Sequence, residues 1–363
     1  MSVLAAIAVL AVLIVVHELG HFVAARSQGI HVNRFSLGFG PVLFKYQGTE
    51  TEYAVRAFPL GGFVGFPDDD PDSKIPPNDP DLLRNRPVID RAIVISAGVI
   101  ANLIFAYLLL VTHIGFVGIP QASLPGVLVP ELAANVSRVA TDAGIKPGDV
   151  ILAAGDRTFG NSLQEMEALS QIIKTSAGKP LELKIERKTE QLTVKVTPEA
   201  KAGDRGSIGI ALAPNGSVER TKVGVLDAFG AAASEFQRII VLTINGFGQL
   251  IGNFGETAGQ ISGPVAIVDF GAKIARSDAA NLLQFAALIS INLAVINILP
   301  LPALDGGQLA FLLFEAVRGK PLPTNIQDGV MQTGLMLLLG LGIFLIVRDT
   351  ANLEWVQKLF QWA

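Results

Sequence analysis

The sequence predicts a polytopic α-helical membrane protein with about four transmembrane helices, a membrane-associated β-hairpin loop and an inserted soluble α+β domain. Hydrophobic residues make up 50% of the 363 residues and charged residues only 17%. The mean hydropathy of +0.48 is high for a soluble chain. Four segments are apolar over about the 20 residues that a bilayer crossing needs. They cover residues 2–25, 92–112, 281–299 and 329–347.

Charge and cysteine content exclude several kinds of protein and site. The net charge of -4 argues against a surface for nucleic acid, so no nucleic-acid partner is expected. The chain has no cysteine, which excludes disulfides, thiolate metal sites and cysteine nucleophiles. It has only four histidines, which argues against a site of three histidines. Any metal must be bound by nitrogen and oxygen atoms.

The motif HELGH at positions 17–21 lies in the last third of the first apolar segment. His17 and His21 are four residues apart, so they lie on one helix face and can share a zinc ion. Glu18 can take a proton from water that the metal activates. Ionisable groups inside hydrocarbon are costly and usually functional, which favours the zinc interpretation. A polar cluster between helices is the alternative, and a cleaved signal would need a basic start, which is missing before Arg26.

Residues 34–66 predict β-hairpins rather than a helix. Aromatic and β-branched residues alternate on both sides of Gly48-Thr49, and several glycines allow tight turns. Non-helical backbone at membrane depth is tolerated where it lines a cavity, and a sheet edge there can pair with an extended substrate. Gly38 and Gly40 are the candidate substrate-binding residues in this segment. An ordinary interfacial hairpin is the alternative.

The long stretch between the second and third apolar segments has room for one soluble domain. Strand-like runs and a helix over 162–175 predict a small mixed domain at 126–214. An apolar face with few charges at 225–251 predicts a helix on the membrane surface. The expected parts of the chain are a membrane core in two pieces, an extracytoplasmic domain, and a surface helix with its linker. Their ranges are 1–114 and 281–363 for the core, 115–215 for the domain and 216–280 for the helix and linker.

The best candidate for a third metal ligand is Asp305, in the segment NILPLPALDGG at 297–307. Its prolines break or kink a helix, and its two glycines let backbones approach closely. An aspartate at this position is costly unless it is paired or bound to a metal. A carboxylate that caps a helix is the alternative reading of Asp305.

The basic residues predict how the chain crosses the membrane. Arginines and lysines flank the first loop, from Arg26 to Arg91, and Arg318 and Lys320 lie in the last loop. The positive-inside rule places these two loops in the cytoplasm, and both termini and the inserted domain outside it. The first and third segments then both end at the cytoplasmic side, so HELGH and Asp305 can meet at similar depth.

HELGH in the first segment, NILPLPALDGG after the third and the insert between the second and third together resemble the site-2 protease family of membrane-embedded zinc metalloproteases. The resemblance implies Zn²⁺ bound by His17, His21 and Asp305, with Glu18 as the general base. It also suggests that Asn297 holds the substrate or the oxyanion, although a helix-packing asparagine is equally compatible with the sequence.

The insert resembles a single PDZ domain. The stretch AGIKPGDVI at 143–151 is similar to the signature turn of that family. Ile208, Gly209 and Ile210 resemble its carboxylate-binding loop and are candidate substrate-binding residues. A domain of this kind binds extended peptide ends along a strand edge. Whether it recognises trimmed substrates or excludes uncut ones stays open.

The family resemblance also implies the partners. Its substrates are single-pass membrane proteins that another protease has already trimmed, and anti-sigma-factor-like proteins or signal-peptide remnants fit this description. The chain is then an integral protein of a bacterial plasma membrane or a thylakoid or plastid membrane. A non-catalytic scaffold would not need Glu18. A metal transporter would need more ionisable groups than the second and fourth segments contain.

Overall fold

The computed structural model describes residues 2–70, 73–133, 136–201, 205–253 and 261–353, together with residues 255, 259 and 357. The chain divides into two compact units. The first consists of Met1–Ile114 and Val225–Ala363, and the second is Gly115–Gly224. The second unit thus extends beyond residue 215, where the sequence analysis ended the inserted domain.

Helices make up most of the first unit. In chain order, the α-helices of the described residues are α1 (Ser2–Ser27), α2 (Val88–Val117), α3 (Val139–Asp142), α4 (Gln164–Thr175), α5 (Val225–Gly252), α6 (Pro264–Ser277), α7 (Asn281–Ile298), α8 (Asp305–Arg318) and α9 (Thr324–Ala351). Of these, α3 and α4 belong to the second unit.

Four described helices are long and apolar enough to cross a membrane: α1, α2, α7 and α9. These are the four segments predicted from the sequence. Their outer surfaces are apolar, and on α9 the side chains of Met336, Leu337 and Ile343 are more than half exposed. Because such side chains are stable in hydrocarbon, this surface suits contact with lipid.

Helices α1 and α2 approach closely because small residues lie where they cross. A Cβ atom on Gly20 of α1 would lie 2.8 Å from the Cβ atom of Ala101 on α2, and closer still to the carbonyl oxygen of Ala97. Small residues of this kind allow close helix packing in membranes. The crossing is within the HELGH motif, so α2 lies directly beside the two histidines.

Two long bent strands, β1 (Arg34–Gln47) and β2 (Glu52–Gly65), follow α1. Across the turn, residues 44–47 pair with 52–55 in opposite directions, and the Gly48 N–H donates to the Thr51 carbonyl. Residues 34–37 return beside 52–55 in the parallel sense and also pair with 62–65 in the antiparallel sense. The predicted hairpin is therefore present, but it folds back on itself, so four short segments lie side by side.

Helix α5 packs against α2 and α7. The Thr243 hydroxyl donates to Asn292 Oδ1 at 2.9 Å, and the Tyr107 hydroxyl donates to the Phe229 carbonyl at 3.2 Å. The side chains of Ala232 and Ile239 are buried. The helix predicted over 225–251 is thus present, and its placement on the membrane surface stays a prediction.

The second unit contains both helices and strands, as predicted for this part of the chain. Its described strands are β3 (Ile119–Ala122), β4 (Val127–Leu128), β5 (Val150–Ala154), β6 (Arg157–Thr158), β7 (Leu181–Arg187), β8 (Glu190–Val196), β9 (Glu199–Lys201), β10 (Arg205–Ser207), β11 (Ala213–Pro214) and β12 (Val218–Thr221). The main sheet has the antiparallel order β11-β4-β5-β7-β8, and β6 pairs with β5.

The core of this unit packs between the main sheet and α4. Leu169 of α4 and Ile151, Leu183 and Ile185 of the sheet are fully buried in one cluster. Alternate residues of β7 face this core, which is the period expected of a strand with one buried face. The observed helix α4 lies within the predicted 162–175. Membership of the PDZ family stays a prediction.

Candidate metal centre

Two imidazoles meet on one face of α1. The helix is continuous from Ser2 to Ser27, so His17 and His21 lie about one turn apart. Their Nε2 atoms are 3.2 Å apart, and their rings are nearly perpendicular, with centroids 4.8 Å apart. This arrangement points two ring nitrogens at the same space.

A carboxylate reaches the same space from the break between α7 and α8. After α7 ends at Ile298, Leu299 is extended, and α8 begins at Asp305. Asp305 Oδ2 lies 3.2 Å from His17 Nε2 and 3.5 Å from His21 Nε2. The N-cap residue of α8 is Leu304, and no side-chain hydrogen bond caps this end of the helix. The carboxylate of Asp305 therefore faces the histidines.

The two glycines after Asp305 permit this tight turn. A Cβ atom on Gly306 would lie 2.5 Å from the carbonyl carbon of Ile298 and closer still to the Leu299 carbonyl oxygen. A Cβ atom on Gly307 would lie 3.0 Å from the carbonyl carbon of Leu301. Any larger residue would push α8 away from the end of α7, and Asp305 would move with it.

The three donor atoms fit zinc. With zinc–ligand bonds of about 2.0–2.1 Å and tetrahedral angles, neighbouring donor atoms lie ~3.3 Å apart. The observed separations are 3.2, 3.2 and 3.5 Å. Asp305 Oδ2 is buried and has no hydrogen-bond donor among the described residues. Two imidazoles and a carboxylate are also a common donor set of catalytic zinc sites.

Glu18 lies between α1 and the last part of β2. Its carboxylate lies beside the backbone of Val64. A Cβ atom on Gly62 would lie 2.8 Å from Glu18 Cγ and 3.0 Å from the Ser36 carbonyl oxygen. The hairpin therefore covers the glutamate beside the donor atoms, and Gly62 leaves room for its side chain.

Asn297, in the last turn of α7, reaches the same centre. Its Nδ2 atom is 3.4 Å from His17 Nε2. The structure thus brings together five of the residues predicted from the sequence. These are His17, Glu18, His21, Asn297 and Asp305.

The face of α2 that lies against the histidines was not predicted from the sequence. His21 Nδ1 is 2.9 Å from the Val94 carbonyl oxygen, and Asn102 Nδ2 is 3.3 Å from His17 Nδ1. Between them, a Cβ atom on Gly98 would lie 2.7 Å from His21 Cε1. Residues 94, 98 and 102 are spaced by four and share one helix face, but the sequence does not indicate that this face meets the histidines.

The other candidate substrate-binding residues lie elsewhere. Gly38 and Gly40 have φ angles of 85° and 84° and bend β1, and the Gly40 carbonyl accepts a hydrogen bond from Arg56 at 2.9 Å. Among the described contacts, neither glycine touches the donor atoms. Their role in binding substrate stays a prediction.

The segment Ile208, Gly209 and Ile210 lies in the second unit. The Ile208 side chain is part of the buried core, and its carbonyl accepts a hydrogen bond from the Ala140 N–H. Gly209 has a φ of 75°, and its carbonyl accepts from the Ala133 N–H. Ile210 forms a bridge to Leu132. A carboxylate-binding role for this segment stays a prediction.

The two remaining histidines lie apart from the donor set. His113 Nδ1 donates to the Ala280 carbonyl at 3.0 Å. His31 Nε2 is 3.9 Å from Asp79 Oδ1, in a cluster that also contains Asp81. Arg86 forms an ion pair with Asp81, with Nη2 2.7 Å from Oδ1.

Known proteins resemble this chain over nearly its whole length. Residues 5–341 match the model of peptidase family M50. A protein of Nostoc sp. that is named as a zinc metalloprotease is 73% identical over 365 residues, covering 99% of this chain and 100% of its own. The chloroplastic membrane metalloprotease ARASP of Arabidopsis thaliana is 48% identical over 364 residues, covering 99% of this chain and 80% of its own.

A more distant relative is RasP of Bacillus subtilis, named a regulator of sigma-W protease. It is 29% identical over 438 residues, covering 99% of each chain. The matched range of the family model, residues 5–341, spans the parts of this chain that contain HELGH and Asp305. The chain belongs to peptidase family M50, the site-2 proteases, and is a membrane zinc metalloprotease.

Proposed function

We propose that this protein hydrolyses peptide bonds within or near the transmembrane segment of single-pass membrane proteins. The observation that carries the proposal is the position of the donor atoms. His17, His21 and Asp305 meet at 3.2–3.5 Å, and they lie on α1 and directly after α7, two helices able to cross a membrane. A hydrolytic centre placed there can act on peptide bonds that a soluble protease cannot reach.

His17, His21 and Asp305 would hold zinc through Nε2, Nε2 and Oδ2. Zinc bound there supplies a Lewis acid that lowers the pKa of water to about 7 and polarises a carbonyl. Glu18 accepts the proton of the attacking water and afterwards passes it to the leaving amine. The Val64 backbone lies beside the Glu18 carboxylate and would help to orient it for this transfer.

Asn297 is suited to bind the oxygen of the scissile carbonyl. Its amide donates hydrogen bonds, and its Nδ2 atom lies 3.4 Å from His17 Nε2. A donor aimed at the position where negative charge develops stabilises that charge most in a site from which water is excluded. A helix-packing role would not need the amide to point at the donor set.

The substrate must be extended when it is cut, because the backbone groups of a helix are hydrogen-bonded within the helix. Residues 62–65 of β2 lie against Glu18 and pair with 34–37 on one side. An unwound substrate that lies along this segment would bring its peptide bonds to Glu18, as a strand added to a sheet edge does. Gly38 and Gly40 would shape the same sheet.

The membrane orientation follows the basic residues of the first and last loops. Both termini and the second unit would be extracytoplasmic, and the donor set would lie nearer the cytoplasmic face. Substrates would be single-pass proteins already trimmed outside by another protease, such as anti-sigma-factor-like proteins or signal-peptide remnants. RasP is named for regulating a sigma factor, which supports substrates of this kind.

The test is cleavage of a trimmed single-pass reporter by the full chain in liposomes. Glu18→Gln should lower the rate by at least ~100-fold, the usual loss on removal of a general base, while zinc content stays at the wild-type level. Glu182→Gln, on the exposed face of β7, is the matched control and should cleave normally. Equal cleavage by the Glu18→Gln variant would refute the proposal.

A further inference from the structure

Both histidines of the centre direct Nε2 towards Asp305, but their Nδ1 atoms have different partners. Both Nε2 atoms face Asp305. His21 Nδ1 lies 2.9 Å from the Val94 carbonyl oxygen, whereas His17 Nδ1 lies 3.3 Å from the Asn102 amide. Both partners belong to the same face of α2.

The Val94 contact sets the proton of His21. A carbonyl oxygen only accepts hydrogen bonds, so His21 Nδ1 must carry the hydrogen. In a neutral imidazole, Nε2 then has the free lone pair that a metal needs. His17 also needs a free lone pair on Nε2 if it is to bind zinc through that atom. Its Nδ1 must then carry the hydrogen, and that hydrogen needs an acceptor.

Asn102 can supply this acceptor. It is fully buried in α2, and its side-chain Oδ1 has no hydrogen-bond partner among the described residues. The amide presents Nδ2 to His17 Nδ1. A half-turn of the amide exchanges Oδ1 and Nδ2 without changing the volume that the side chain fills. Oδ1 then faces His17 Nδ1, and this orientation matches a metal on Nε2.

A second contact fixes the position of Asn102 itself. The buried hydroxyl of Ser290 on α7 donates to the Asn102 backbone carbonyl at 2.8 Å. This bond ties α2 to the helix that precedes Asp305. This bond therefore fixes the position of α2 along its axis relative to α7, and it keeps the Asn102 side chain beside His17.

We propose that Asn102 is a positioning residue whose side-chain carbonyl accepts the Nδ1 hydrogen of His17, so that His17 binds zinc through Nε2. It completes a pair in which α2 orients both imidazoles, through a backbone carbonyl at Val94 and a side-chain carbonyl at Asn102. The inference rests on the proposed zinc site. Such partners of metal-binding histidines are typically worth 10–100-fold in metal affinity.

The test is the zinc affinity of the purified full-length protein in detergent, measured by competition with a chelator. Asn102→Leu keeps the size of the side chain but removes the acceptor, and it should weaken zinc binding about 10–100-fold. Asn102→Asp keeps an acceptor oxygen and should bind zinc at least as tightly as wild type. Cobalt bound to the aspartate variant should give the wild-type absorption spectrum.

Asn292→Leu is the matched control. It removes an amide that bonds Thr243 between α5 and α7, so it tests the loss of a helix-packing asparagine, and its zinc affinity should equal that of wild type. The inference is wrong if Asn102→Leu binds zinc as tightly as wild type. It is equally wrong if Asn102→Asp, which keeps an acceptor oxygen and is the milder variant for folding, loses as much zinc affinity as Asn102→Leu. If the wild-type chain binds no zinc, the proposed function fails as well, whereas normal wild-type binding confines the failure to Asn102.

Discussion

Replacing Gly98 with alanine should disrupt the metal centre, because a Cβ atom there enters the space of the two imidazoles. That atom would lie 2.7 Å from His21 Cε1 and 2.8 Å from His17 Cε1, and closer still to His21 Nε2. Ordinary contacts between such atoms are about 3.5 Å. The rings or α2 must therefore move by roughly 0.7 Å or more, which exceeds the ~0.5 Å within which a metal site has to be held.

The expected cost is that of a methyl group forced into a filled site, about 1–3 kcal/mol. If the whole of this free energy is lost from zinc binding, the zinc affinity falls roughly five- to 150-fold, since ~1.4 kcal/mol is a factor of ten in affinity. Chelator competition on the purified full chain measures this directly. Far-ultraviolet circular dichroism at the same temperature checks that the helices remain folded.

Gly115→Ala provides a control on the same helix. A Cβ atom on Gly115 has nothing within 4 Å, so alanine there should leave zinc affinity unchanged. It should also favour the helix slightly, because alanine has the higher helix propensity. Wild-type zinc affinity in the Gly98→Ala variant would refute the placement of α2 against the histidines.

Three further predictions concern the donor set, the hairpin and the second unit. Asp305→Ala should lose zinc in metal analysis of the purified protein, whereas Glu18→Gln should keep it, and equal zinc content in both would contradict the assigned ligands. Gly62→Val should slow reporter cleavage without loss of zinc, because its side chain collides with Glu18, and a normal rate would exclude that contact. The pKa of Asp149 is lowered, because hydrogen bonds from Arg187 and from a backbone N–H outweigh the effect of burial, which raises it. The stability from this carboxylate is present above its unfolded pKa of about 3.9 and is lost as pH falls through the lower folded pKa. Hydrogen-exchange protection factors in β5 and β7, which are corrected for the intrinsic pH dependence of exchange, should therefore fall below about pH 4 in wild type and change less in Asp149→Asn.

The four long apolar helices and the HELGH face could be predicted because their signals are local. An apolar run of sufficient length has few alternatives to a spanning helix, and a spacing of four sets two histidines on one face whatever surrounds them. The proximity of Asp305 to the two histidines was expected because the predicted topology ends the first and third segments at the same side of the membrane. The structure places these atoms 3.2–3.5 Å apart.

The partners on α2 could not be predicted, because one of them is a backbone carbonyl. The Val94 carbonyl has no signature in the sequence, and in an apolar helix no polar face indicates which side meets a neighbour. In the sequence, Asn102 is only a polar residue within an apolar segment, which is typical of a helix that packs on other helices. Its position beside His17 depends on where α1 and α2 cross, which small residues such as Gly20 determine.

The hairpin and the last strands of the second unit show a similar limit. Alternation around Gly48 predicts that neighbouring strands pair across the turn, but the return of 34–37 beside 52–55 is a non-local contact. One of the strand-like runs within 126–214, SIGIALA at 207–213, is split in the structure, because Gly209 adopts a positive φ against the Ser137 backbone. Alternating hydrophobicity does not report such a bend.

The position of the cut in a substrate shows whether this protein hydrolyses peptide bonds at membrane depth. The wild-type chain, stripped of metal and then supplied with zinc, is incubated in liposomes with a trimmed single-pass reporter, and the products are mapped by mass spectrometry. Cleavage is expected within or next to the apolar segment of the reporter, and it should depend on zinc and be absent in Glu18→Gln. Cleavage confined to the soluble part of the reporter, or cleavage that persists without zinc, would contradict this expectation.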